Sequence, residues 1–128
     1  MASKFTVPVV AILALSLTSF SGWHTDRSTA GQGTAQKNAL EQQYKAKVQP
    51  FVERYCIFCH GAKKPKAQLD LSLDMSVAAI VKNIHRWEQV LERLEANEMP
   101  PEDAPKRPTK DERTAVIAWL RELRDREA

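Results

Sequence analysis

The chain has two cysteines, Cys56 and Cys59, and the second is followed directly by His60 in the stretch "YCIFCHG". Two cysteines are too few for a disulfide framework, so their spacing points to a site and not to a scaffold. Three kinds of site use a C-x-x-C pair: a zinc site, a redox-active dithiol, and the attachment point of a c-type haem, for which the motif is C-x-x-C-H. Each makes different demands on the rest of the chain.

The remaining residues favour haem attachment over the other two sites. A structural zinc site needs about four Cys or His ligands, and the only other histidines, His24 and His85, do not form a second cluster. A thioredoxin-like dithiol is expected among alternating strands and helices, a pattern that this sequence lacks. We therefore expect Cys56 and Cys59 to hold one covalent haem c and His60 to be the proximal iron ligand, with a haem-free thiol oxidoreductase as an alternative.

The first residues read as a targeting segment followed by a linker. Lys4 precedes an apolar run over residues 5–20 and then small residues, which is typical of a cleaved secretory signal peptide, here 1–21. The run is shorter than the roughly 20 residues that span a bilayer, so we expect no stable membrane span after cleavage. Residues 22–36, rich in Gly, Ser, Thr and Gln, are predicted to be a flexible linker, and residues 37–128 the folded domain. The expected location is the periplasm, with secretion as the alternative.

The folded domain is predicted to be all-α. Residues 37–48 favour a helix, and Pro50 suits the first turn of the next helix, which leads to the cysteines. Residues 61–73 predict an irregular loop with a short extended piece. Residues 85–97 carry apolar side chains at helical spacing, and "EMPPEDAPKRP", with four of the seven prolines, is expected to be a loop. A capping-box pattern then begins the last helix, in which the predicted core residues are Val116, Trp119, Leu120 and Leu123.

Two long stretches add a resemblance to this interpretation. "YCIFCHGAKKPKAQLDLSLD" and "WEQVLERLEANEMPPEDAPKRPTKDERTAVIAWL" resemble the planctomycete-type cytochrome c domain, a branch of the c-type cytochromes, over about residues 48–124. The resemblance implies a small cytochrome c-like helical domain wrapped around one covalently attached haem. Ala67 stands where such domains often have glycine, which bears on the shape of the local loop. Such domains also often head much longer chains.

Three residues are candidates for the iron ligand on the distal side, namely Met99, Met75 and His85. Met99 has the best context, because a loop stiffened by Pro100 and Pro101 can fold back over the haem after the apolar helix. The resemblance implies the same residue. We expect Met75 to fill the core and His85 to lie on the surface.

The expected function is one-electron transfer between redox protein partners in the periplasm, with His/Met ligation of a single haem and no enzymatic activity. The alternative in another class is a haem enzyme or small-molecule sensor that keeps the distal position open. Nucleic acid is excluded as a partner, because the net charge is only +3 and the charges of both signs are interspersed. Lys63, Lys64 and Lys66 follow the attachment motif and could guide an acidic partner.

Overall fold

The computed structural model describes residues 29–128, with side chains from residue 33 onward, and within that range the chain forms six α-helices and no β-strand. A π-helical segment joins α1 to α2, and two 3-10 turns separate α3 from α4. The α-helices are α1 Thr29–Gln43, α2 Gln49–Tyr55, α3 Ile57–His60, α4 Val77–Lys82, α5 Ile84–Glu95 and α6 Lys110–Glu127; the π-helical segment is Tyr44–Val48, and the turns are Lys66–Gln68 and Leu71–Leu73. The predicted all-α fold is confirmed.

The chain stays helical from Thr29 to Tyr55. The helix expected over residues 37–48 begins earlier than predicted, so residues 29–36, which were assigned to the linker, are helical in the structure. Pro50 lies in the first turn of α2, where its missing N–H has no intrahelical partner to lose. The predicted signal peptide over residues 1–21, and residues 22–28 of the predicted linker, lie outside the described residues. The boundary at residue 37 between the linker and the folded domain stays a prediction.

The core forms where the first helical run meets α5 and α6. From the first run, Leu40, Tyr44 and Val48 are buried at every fourth position, as helical geometry requires of one face. Helix α5 packs against α6, and the apolar positions that were predicted for the core of α6 are all buried. Buried side chains of the two helices are Trp87, Leu91, Leu94, Val116, Trp119, Leu120 and Leu123.

Two loops without long helices complete the fold and reach the cysteines from either side. The loop after His60 is irregular as predicted, and its extended piece amounts to Leu69 and Asp70, which lie between the two 3-10 turns. The proline-rich loop ends at Thr109, whose hydroxyl accepts from the Glu112 amide in the capping box that the sequence predicted. No helix within residues 29–128 is long and apolar enough to cross a membrane.

Candidate functional site

A cavity of about 530 Å³ lies between the cysteine segment and the proline-rich loop. Its volume falls within the roughly 300–1,000 Å³ that is usual for small-molecule and cofactor sites. The four residues that the sequence singled out all line this one cavity: Cys56, Cys59, His60 and Met99. The fold therefore brings together side chains that are up to 43 positions apart in the chain.

The attachment motif forms a single helical turn. The Cys56 amide donates to the Val52 carbonyl at 2.9 Å, so this cysteine continues the last turn of α2. The amides of Cys59 and His60 then donate to the Cys56 carbonyl, at 3.1 and 2.8 Å. Because residues three apart lie on one face of such a turn, both thiols reach the same cavity wall.

The environment of Cys56 is unlike that of a reactive dithiol. Burial, with a smaller contribution from Cys59, raises the pKa of the Cys56 thiol to about 12. Redox-active cysteines instead have pKa values lowered by helix N-termini or neighbouring cations, because the thiolate is the nucleophile. Burial of Cys56 thus disfavours its thiolate form. Among residues 29–128, no three or more His, Cys, Asp or Glu side chains are grouped as they would be around a metal ion.

The loop after His60 orients its imidazole. Nδ1 lies 3.1 Å from the Lys66 carbonyl oxygen, which can only accept, so Nδ1 carries the proton and Nε2 keeps a lone pair for a metal. The next residue, Ala67, has φ 53° and ψ 23°, in the left-handed region that glycine adopts most readily. The alanine at this position is therefore held in the conformation that a glycine would favour.

Met99 reaches the cavity from a tethered loop. The residue is 39% exposed and lines the cavity, whereas Pro100 beside it is buried. The Nη1 group of Arg113 in α6 donates to the Met99 carbonyl at 2.6 Å and to the Leu94 carbonyl at 3.3 Å. The Glu98 amide adds a bond to the end of α5, at 3.0 Å from the Arg93 carbonyl.

The two other candidates for the distal ligand lie elsewhere. Met75 is partly buried and packs against the core. The His85 side chain is exposed, with Nδ1 3.0 Å from the Glu88 carboxylate. Neither side chain lines the cavity, in agreement with the core and surface positions expected for them.

One wall of the cavity is fastened to the start of α6 by a contact that the sequence did not indicate. The hydroxyl of Tyr55 donates to the Glu112 carboxylate at 3.1 and 3.2 Å, and Arg54 Nη1 lies 3.7 Å from the same group. The amide and the hydroxyl of Thr109 also donate to the Glu112 carboxylate, and these bonds are the main cause of the lowered pKa of Glu112. The sequence marked Glu112 as a cap, but no local pattern pairs it with Tyr55.

Asp74 is a buried carboxylate that no sequence pattern indicated, and it accepts hydrogen bonds from three side chains of the second half of the domain. Asp74 is 1% exposed and accepts from Asn83 Nδ2 at 2.7 Å, Arg86 Nη1 at 3.0 Å and Trp87 Nε1 at 3.1 Å. The other buried indole, that of Trp119, donates to the Leu40 carbonyl at 3.1 Å. Both tryptophans belong to the core and neither lines the cavity.

The residues around the cavity fit a covalently attached haem. Two thiols lie on one turn, the imidazole beside them has Nε2 free, and a thioether lines the same space. The other lining residues are largely apolar or aromatic, which suits a porphyrin, and they include Tyr55, Phe58, Pro100, Pro101 and Pro105. The donor set of imidazole and thioether is one that holds haem iron in cytochromes c.

Comparison with protein families agrees with this chemistry. Residues 56–103 match the family described as planctomycete cytochrome C. This segment runs from the attachment turn through the Met99 loop and ends before α6, so it is shorter than the region of resemblance seen in the sequence. Searches among curated proteins and solved structures found no match. The segment that contains the attachment turn and the Met99 loop is thus similar to planctomycete cytochrome C.

Proposed function

We propose that this chain is a single-haem c-type cytochrome that transfers one electron at a time between redox protein partners. The observation that carries the proposal is the single cavity lined by Cys56, Cys59, His60 and Met99. Haem bound there supplies the one-electron iron couple, and the protein sets its potential through axial ligation and burial.

Four of the lining residues have a defined part in this proposal. The Cys56 and Cys59 thiols would form the two thioether links to a haem, and the His60 Nε2 atom would be its proximal ligand. The bond from His60 Nδ1 to the Lys66 carbonyl holds the ring orientation and increases the basicity of the ligating nitrogen. Met99 would supply the distal thioether, a soft and neutral ligand that favours ferrous over ferric iron.

The carrier proposal is favoured over an open-site enzyme or sensor. With Met99 as the distal ligand, no position on the iron is left for peroxide or a diatomic gas. Among the described residues that line the cavity there is one histidine, His60, which this proposal assigns to the proximal side. We further propose export to the periplasm, on the basis of residues 1–21.

Covalent attachment is tested by producing the chain with its own first residues in a host that has haem attachment machinery. We expect haem to stay with the polypeptide after denaturation and acid extraction, and the double variant Cys56→Ala/Cys59→Ala to lose it. Met75→Ala is the control and should retain it, because this methionine lies outside the cavity. Free thiols with no bound haem in the unmutated protein would favour the thiol oxidoreductase instead.

Distal ligation is tested on the same haem-loaded protein. Met99→Ala should abolish the weak deep-red charge-transfer band of the ferric form, allow carbon monoxide to bind the ferrous form and lower the potential, while haem stays covalently bound. Met75→Ala and His85→Ala should leave all three properties nearly unchanged. An unmutated protein that already binds carbon monoxide freely would shift the balance to the sensor or enzyme.

A further inference from the structure

The side chain of Arg113, in α6, bonds both to the backbone of Met99, the proposed distal ligand, and to the end of α5. Its guanidinium belongs to α6 and donates through Nη1 to the Met99 carbonyl at 2.6 Å and the Leu94 carbonyl at 3.3 Å. Leu94 lies in the last turn of α5, and its carbonyl also accepts from the Asn97 amide at 3.2 Å. The side chain thus fixes the distance between the end of α5 and the backbone of Met99.

The chemistry of Arg113 suits this role. The residue is half-buried, and burial together with the nearby Arg107 lowers its pKa, yet a guanidinium stays charged in proteins. Within residues 29–128 it makes no ion pair with a carboxylate, so its recorded bonds go to the two carbonyl groups. A charge-assisted bond is stronger than one between neutral groups; the bond to the Leu94 carbonyl is partly buried, and the shorter bond to the Met99 carbonyl is exposed.

The other ties of this loop are weaker or do not reach Met99. The ion pair of Arg93 with Glu98 is formed by side chains that are more than half exposed, and such pairs contribute little. The Glu98 amide bonds to α5 one residue before Met99, and the Ala104 amide bonds to Pro101 within the loop itself. Met99 is therefore held by Arg113 on its own carbonyl and by the buried Pro100 that follows it, and Arg113 is the side chain that bonds to it directly.

We propose that Arg113 is a positioning residue that keeps the Met99 thioether available to the iron. Arg113 does not line the cavity, so it acts through the Met99 backbone and not on the haem. A methionine side chain has several rotatable bonds and a thioether is a weak ligand, so anchoring the backbone lowers the entropy that ligation costs. The inference rests on the proposed function, because it requires Met99 to be the distal ligand.

The test compares Arg113→Gln and Arg113→Lys with Arg121→Gln in the haem-loaded protein. Arg121 is a matched control, since it lies on the same helix and its Nε donates to Glu95 in the last turn of α5, with no bond to Met99. The measurements are the loss of the ferric deep-red band as pH rises, the rate at which the ferrous form binds carbon monoxide, and amide deuterium exchange over residues 97–104. Far-UV circular dichroism restricts the comparison to temperatures at which every variant is folded.

We expect Arg113→Gln to raise the fraction of protein with Met99 off the iron by about tenfold, the effect of losing one charge-assisted hydrogen bond. The band should then disappear at lower pH, carbon monoxide should bind about tenfold faster, and residues 97–104 should exchange faster. Arg113→Lys keeps the charge without the planar fork and should recover part of each effect. It also replaces Arg113→Gln as the test variant if the latter does not fold.

The inference is overturned if Met99→Ala abolishes the band while neither Arg113 variant differs from Arg121→Gln in band, carbon monoxide rate or exchange. In that case the proposed ligation stands and only the role of Arg113 fails. If Met99→Ala leaves the band intact, the proposed ligand is wrong, and the inference about Arg113 fails with it.

Discussion

Gly61 and Ala67 lie in the loop that follows His60. A side chain would clash at Gly61, whereas Ala67 carries one in a backbone conformation that favours glycine. A Cβ atom added to Gly61 would lie 2.7 Å from the Ile57 carbonyl oxygen and 3.1 Å from Ile57 Cγ2. The carbonyl is part of the attachment turn and cannot move freely. Ala67, at φ 53°, already carries a Cβ in a backbone conformation that costs an ordinary residue about 1–2 kcal/mol.

We therefore expect Gly61→Ala to destabilise the folded protein by about 1–3 kcal/mol and to lower the yield of attached haem, because the turn that holds both cysteines must shift. Ala67→Gly should stabilise it by up to about 1 kcal/mol, since the strain relieved exceeds the entropy that glycine loses on folding. Urea unfolding and the haem-to-protein ratio measure both effects. Normal stability and normal loading in Gly61→Ala would show that the turn adjusts without cost.

At the scale of elements, the capping box of α6 also fastens the helix that delivers the cysteines. Glu112 accepts from Thr109 within its own helix start and from Tyr55 at the end of α2, 57 positions earlier. The bonds from Thr109 lower the pKa of Glu112 below its ordinary value of 4.5, with a smaller contribution from Tyr55. A single carboxylate thus links the N-terminus of α6 to the cavity wall.

The pH dependence of stability reports this link. Because the folded-state pKa is lowered, the ionised carboxylate stabilises the folded state above about pH 4.5, and this contribution is lost as pH falls through the folded pKa. Glu112→Gln should therefore lower stability at neutral pH and flatten its decline in acid, as measured by melting temperature against pH. Glu122→Gln, near the other end of α6 and paired with Arg126, is the control. If the melting temperature of Glu112→Gln falls in acid as steeply as that of the unmutated protein, the loss of stability comes from other carboxylates.

At the scale of the whole molecule, the cavity lining carries three strongly basic side chains, those of Arg54, Lys66 and Lys106, and one carboxylate, that of Glu53. Lys66 and Lys106 line the cavity, and Lys63 and Lys64 are exposed in the same loop as Lys66. Phe58, 80% exposed, presents an apolar surface at the same cavity. In the proposed function these lysines would attract an acidic redox partner toward the cavity.

We expect electron exchange with a small acidic redox protein to slow as ionic strength rises, because salt screens the attraction that guides the encounter. Replacing Lys63, Lys64 and Lys66 by glutamine should lower the rate at low salt and weaken its salt dependence. Lys82→Gln, at the exposed end of α4, is the control and should change little. Stopped-flow rates over a range of salt concentrations give the comparison, and a rate indifferent to salt would remove these lysines from docking.

Local patterns in the sequence determined the elements of this domain and the identity of its candidate ligands. The spacing of Cys56, Cys59 and His60 is a single helical turn, and helical periodicity and capping depend on neighbours three or four positions away. For the same reason the buried face of α6 was predicted correctly. The start of α1 was not predicted correctly, because the residues before position 37 lack an apolar face and their composition resembles that of a linker.

Only the tertiary structure decided how these elements are held around the cavity. The Lys66 carbonyl that orients His60 is a backbone group, which no side-chain pattern can reveal. The bonds from Arg113 to Met99 and from Tyr55 to Glu112 join residues 14 and 57 positions apart. Such contacts depend on how α5 and α6 pack against the first helical run. That packing depends on how side chains from all segments fit together in the core, whereas the periodicity of one segment indicates only which of its own residues are buried.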